Sequence, residues 1–151
     1  MAVNLEQHVM EARIAEEVEY RKNLPGMSSM LGLEAIQCNA EKGQFDSYHL
    51  VEPWAENVNG TAHGGIVTAA MDSTMSILCR SYIYPHRAPT TNLNVNFLRP
   101  VFVGDKLHVR AELLRRGQNL LWLRALAWVD NPEKPCASAE GTFYEVVPKN
   151  K

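Results

Sequence analysis

The segment Gly64–Tyr82, "GGIVTAAMDSTMSILCRSY", most constrains what this chain can fold into. It has helical length, and Ile66, Val67, Ala69, Ala70, Met71, Met75, Ile77 and Leu78 surround it with apolar side chains. A helix that is apolar all round is buried rather than laid on a surface. A sheet curled around it would bury it, and the rest of the chain supplies strands. In "TNLNVNFLRP", Asn92, Asn94 and Asn96 alternate with Leu93, Val95 and Phe97, the period of a strand with one buried face. "KLHVRAELL" alternates again from Lys106, and "LLWLRALAWV" from Leu120 is apolar on both faces, as an interior strand is. "CASAEGTFYEVV" from Cys136 is the last strand. "VFVGD", "RRGQN" and "NPEKP" read as turns, so these strands are expected to form an antiparallel meander.

Upstream, strands are predicted over 33–40 and 44–51, joined by the turn "EKG". A surface helix over Leu5–Lys22 has Leu5, Val9, Ala12, Ile14 and Val18 on its apolar side and ends at "LPGM". "YPHRAP" breaks the central helix. The order is helix, two strands, long helix, four strands. This is an α+β chain with a helical extension over 1–30 and one domain over 31–148.

With 151 residues, 46% hydrophobic and 21% charged, the chain has the composition of a globular domain with a sizeable core. A formal net charge of −2 gives no reason to expect nucleic acid. No apolar run reaches the ~18 residues that span a bilayer, and the N-terminus is too charged for a secretory signal. Cys38, Cys79 and Cys136 are odd in number and widely spaced, which argues against a disulfide framework or a zinc site. A reducing cytoplasm is the simple reading. Neither a metal nor a cofactor is expected.

Asp72 stands in the middle of the apolar helix. Its helical neighbours are Thr68, Ala69, Met75 and Ser76, and none is a cation. An unpaired carboxylate in an apolar setting costs several kcal/mol. Either it reaches solvent or a hydroxyl of Thr68 or Ser76, or it is a base or nucleophile with a raised pKa. The helix opens with "NGTAHGG". Read blandly, this is an ordinary turn with His63 packed or capping. Read chemically, Gly64 and Gly65 expose backbone N–H groups at a helix N-terminus, where a carbonyl oxygen can be polarised. Gly64 and Asp72 are eight residues apart, or about 12 Å along the axis. A reacting centre tolerates only about 3.5 Å. If both groups act on one substrate they come from different chains, which predicts a homodimer with two interfacial sites.

"NVNGTAHGGIVTAAMDS" resembles the signature of hotdog-fold acyl-CoA thioesterases of the phenylacetate-pathway (PaaI-like) type. The matching residues are Asn57, Gly60, Thr61, His63, Gly64, Gly65 and Asp72, followed by Thr90 opening the strand that ends at Pro100. The resemblance covers roughly Gln44–Val147 and leaves the N-terminal helix without functional meaning. It implies a hotdog fold, about six antiparallel strands around the long helix, and a homodimer that pairs into a tetramer. It also implies hydrolysis of an acyl-CoA, aryl or medium-chain. Gly64 or Gly65 would hold the thioester carbonyl, and Asp72 of the second copy would attack it or activate water. Thr90 would position that water or the carboxylate, Asn57 would orient the attacking group or the substrate, and His63 would support the loop. Asn57 also reads as an ordinary turn residue.

Arg115 and Arg116 in "RRGQ" are candidates for the phosphates of coenzyme A, or simply a solvated hairpin end. Arg87 and Arg99 are further candidates. Met71, Met75, Trp54 and Phe97 are either acyl-tunnel lining or plain core. Two rivals stand beside hydrolysis: an acyl-thioester hydratase or dehydratase on the same fold, and a non-catalytic acyl-CoA binding module.

Overall fold

Helix α3, Gly64–Ile83, is the axis of the molecule. The computed structural model describes residues 4–148, so the first three residues of the 1–30 extension lie outside the described residues. The start of α3 is written locally. His63 is extended, and its Nδ1 accepts the Gly65 N–H at 3.0 Å, satisfying one of the amides that a first helical turn leaves without a partner. Val67, Ala70, Met71, Thr74, Met75 and Leu78 are buried along its length.

They are covered by one six-stranded antiparallel sheet: β1 Glu34–Asn39, β2 Gln44–Leu50, β3 Thr90–Phe97, β4 Lys106–Arg116, β5 Leu120–Trp128 and β6 Ala137–Tyr144. The helix-facing residues alternate as strands require. Phe45, Ser47 and His49 come from β2, Leu107, Val109 and Ala111 from β4, Leu121, Leu123, Ala125 and Ala127 from β5, and Ala137, Ala139 and Phe143 from β6; all are buried. Met71 and Met75 are fully buried core, whereas Trp54 and Phe97 are exposed.

The strand order is β1-β2-β4-β5-β6-β3. This corrects the expected meander of the last four strands. β4, β5 and β6 are consecutive neighbours, but β3 lies beside β6 at the far edge. The segment after β3 is a crossing rather than a tight turn. Val101 O accepts the Ala62 N–H at 2.7 Å, Gly104 N–H donates to Val51 O at 2.8 Å, and Val51 N–H donates to Asp105 O at 2.9 Å. The segment thus passes the N-terminal end of α3 and delivers β4 to β2. β5 is interior, as its two apolar faces predict.

Helix α1, Gln7–Lys22, lies against α3 and β1. It buries Met10, Ile14 and Val18 at helical spacing in the same core as the sheet, while Ala12, expected on that face, is exposed. A short helix α2, Met27–Met30, follows Pro25 and Gly26, and a single helical turn, Pro53–Ala55, begins on a proline; neither was legible in advance. Among the described residues no helix is long and apolar enough to cross a membrane.

Candidate active site

Asp72 projects from the middle of α3 and is half-buried. Its Oδ1 accepts a 2.8 Å hydrogen bond from Thr90 Oγ1, at the first residue of β3. Burial pushes the Asp72 carboxyl above its ordinary range, and the Thr90 hydrogen bond and the charge of Arg21 pull it back down. Thr68 and Ser76, the hydroxyls considered from the sequence, are not its partners; Ser76 Oγ donates to Ser73 O at 3.0 Å.

The two glycines differ. The Gly65 N–H is occupied by His63 Nδ1. The Gly64 N–H has no acceptor among the described residues, as expected for the opening amide of a helix. An added Cβ at Gly64 would stand 3.2 Å from Phe97 Cζ at the end of β3, so glycine is what allows the aromatic ring and the helix start to approach. His63 itself is anchored by its N–H to Ala55 O at 2.7 Å.

Asn57 shapes the loop before the helix. Its Oδ1 accepts from Asn59 N–H at 2.8 Å and Thr61 N–H at 3.2 Å, and its Nδ2 donates to Thr61 Oγ1 at 3.0 Å. This is the turn-forming use of an asparagine side chain. Asn57 also lines a cavity of about 380 Å³ with Gly64, Val67, Phe97, Arg99 and Val101. A larger cavity of about 880 Å³ is bordered by Gln7, Gly43, Tyr82, Arg115 and Arg116. Neither Gly64 nor Asp72 lines it.

The two hairpin arginines are not equivalent. Arg116 donates to Tyr82 O at 3.1 Å and to the buried Glu145 at 3.4 Å, so its guanidinium is committed to the fold. Arg115 is exposed and stacks over Trp122. Arg99 donates to Pro135 O at 2.6 Å, and Arg87 stacks over Tyr20. Among the described residues no group of His, Cys, Asp or Glu side chains could hold a metal ion. Burial pushes the Cys79 thiol up to about 12 and raises Cys136 as well, which leaves both protonated and inert as nucleophiles at neutral pH.

Sequence reasoning missed Arg21. This α1 residue donates through Nη1 to Ser76 Oγ at 2.8 Å and to Ser73 O at 3.4 Å. Its Nε pairs with Glu17 at 2.9 Å, and Glu17 also pairs with Arg80 of α3 at 3.1 Å. The i,i+4 spacing of Glu17 and Arg21 was visible in the sequence; their insertion against α3 was not.

A capped helix start with one free amide, and a half-buried carboxylate held by the next strand, can be compared with known proteins. A family model described as the thioesterase superfamily matches residues 59–136, about half of the chain. An uncharacterized acyl-CoA thioester hydrolase of Buchnera aphidicola subsp. Baizongia pistaciae (strain Bp) is 30% identical over 110 residues, 72% of this chain and 78% of that protein. The acyl-CoA thioester hydrolase YciA of Salmonella typhimurium (strain LT2) is 29% identical over 91 residues, 60% of this chain and 68% of that protein. A phenylacetic acid degradation-related protein of Ralstonia eutropha JMP134 superposes with a TM-score of 0.77 at 27% identity, over 89% of this chain and 99% of that one. The PaaI protein of E. coli, at 19% identity and a TM-score of 0.78 over 91% of this chain and 96% of that one, shares the fold. The family match covers the loop, the helix and the strand that hold His63, Gly64, Asp72 and Thr90, and on that ground this chain belongs to the thioesterase superfamily.

Proposed function

We propose that this protein hydrolyses an acyl-CoA thioester to the free acid and coenzyme A, at two equivalent sites built between two copies of the chain. One observation carries the reading. A half-buried carboxylate, Asp72, and a free helix-opening amide, Gly64, lie on the same helix, about 12 Å apart along its axis. The distance is too great for one chain to use both on one carbonyl. A two-fold axis that sets two α3 helices antiparallel brings Gly64 of one copy to Asp72 of the other.

The edge strand supports that arrangement. β3 is eight residues long, pairs on one side only and contains no proline and no charged residue. Such an edge is a template for a further strand, and a second β3 running antiparallel satisfies the two-fold symmetry. Pairing of two such dimers gives the tetramer. Three free cysteines fit a reducing cytoplasm.

The thioester oxygen accepts the Gly64 N–H, which stabilises the negative charge developing on it. Asp72 of the second copy takes a proton from water as the water oxygen bonds to the acyl carbon; alternatively its carboxylate attacks directly, and water then cleaves the anhydride. The C–S bond breaks as the adduct collapses, and the sulfur leaves as a thiolate that takes up the proton released from the water. Thr90 holds the carboxylate, and His63 and Asn57 hold the loop that presents Gly64. Arg115 is the hairpin arginine left free for the phosphates of coenzyme A. A hydratase would pair a histidine with its carboxylate for proton transfer. Here Asp72 is bonded to Thr90 and His63 caps Gly65, which favours hydrolysis.

The test is a panel of aryl, short, medium and long acyl-CoA esters scored for thiol release, with crotonyl-CoA scored for water addition. Thiol release lost in Asp72→Asn supports the reading. Water addition without thiol release, or tight binding with neither, overturns it.

A further inference from the structure

We propose that Arg21, carried on α1, is a positioning residue for Asp72, supplying a cation that none of the carboxylate's neighbours one turn away on α3 provides. The inference rests on the reading of Asp72 as the catalytic carboxylate.

The placement is specific. Ser73 adjoins Asp72, and Ser76 is one helical turn further on the same face. Arg21 donates to both, at 3.4 Å and 2.8 Å through Nη1. Its Nε is held by Glu17 at 2.9 Å, and Glu17, only 5% exposed, is held in turn by Arg80 of α3. The guanidinium is therefore fixed at both ends. Its own side chain is 19% exposed, so its field is less screened than that of a surface arginine.

Among the described residues no other element supplies a comparable cation. β3 has no titratable residue. His49 of β2 is bonded to Leu31 O beneath Thr74. Asp46, Arg110, Glu112 and Arg124 pair with one another on the sheet face away from α3. Glu145, after β6, is tied to His86 and Arg116. Arg80 is committed to Glu17 and to the carbonyls of Pro85 and His86. Arg87 stacks over Tyr20 of α1.

The physical consequence follows from two opposed effects. Burial favours the protonated acid, which can neither attack nor accept a proton. A nearby fixed cation favours the carboxylate, and Arg21 acts in that sense on Asp72. Helix α1 thus biases the acid toward its ionised form, a function for a segment that lies outside the matched family region.

The experiment is the pH profile of kcat/KM for the full-length protein. Arg21→Met should move the acid limb upward by about half to one pH unit, a loss of about 3- to 10-fold below the limb, with rates converging at high pH. Arg21→Lys should restore most of the wild-type profile. Ser76→Ala, a milder change that frees the guanidinium, should move the limb in the same direction, and it serves where Arg21→Met lowers the urea midpoint. A limb that stays in place, or a loss equal at every pH, overturns the role of Arg21. Wild-type turnover in Asp72→Asn instead overturns the reading of Asp72 itself.

Discussion

Thr90 Oγ1 donates a 2.8 Å hydrogen bond to Asp72 Oδ1, joining the first residue of β3 to the middle of α3. The bond orients a carboxylate whose pKa burial raises and the bond itself lowers. A hydrogen bond to a charged group is worth about 1.5–3 kcal/mol. Thr90→Val should therefore lower kcat/KM by about 10- to 100-fold and move its acid limb upward, while Thr90→Ser retains most activity. Steady-state kinetics across pH checks both.

Shared sites make a prediction that no single-chain site can satisfy. Asp72→Asn removes the carboxylate, with an expected loss of about 10²–10⁴-fold and no change in assembly. Gly64→Ala blocks the approach to the helix start. Co-refolding the two inactive variants yields mixed dimers in which one site carries both lesions and the other none. About one quarter of wild-type sites should return in an equal mixture. Sites confined to one chain would recover nothing.

Gly64→Ala also has a local signature. The new methyl meets Phe97 Cζ at 3.2 Å and two further ring carbons at 3.5 Å. Phe97 is 56% exposed and free to turn outward, so stability should change by less than about 1 kcal/mol while activity falls. Urea unfolding beside thiol-release kinetics separates the two effects.

The exposed edge of β3 should carry the dimer. Asn94→Lys with Asn96→Lys sets like charges across a β3–β3 pairing, a change that blunts sheet edges. Light scattering should show monomers, and activity should fall with the dimer fraction. An active monomer would contradict the shared site.

His49 predicts how stability depends on pH. It is 3% exposed, and its Nδ1–H donates to Leu31 O at 3.2 Å. Burial lowers its pKa to about 4, with the Leu31 carbonyl opposing. Between about pH 6.5 and 4 the unfolded chain binds a proton that the folded chain refuses, so stability is lost as pH falls through that window. The full effect is about 3 kcal/mol. Urea unfolding at pH 7, 6 and 5 should show it, and His49→Gln should flatten the slope.

The chain's own sequence determined the features that depend on near neighbours. Periodicity marked α3 as a buried helix and the alternating segments as strands, because side-chain direction repeats with the local backbone. "HGG" announced a helix start, and Asp72 was conspicuous because α3 offers it no cation. Tertiary structure alone decided what depends on chain-distant meetings. β3 lies beside β6 rather than β4, because the connection after it crosses the end of α3 instead of turning. Arg116 is committed to Glu145 and Tyr82, although beside Arg115 it reads as the same exposed charge. Arg21 reaches Ser73 and Ser76 from another helix. Local patterns establish which face of an element is apolar, whereas the partner that meets a charge on that face is set only when the elements pack.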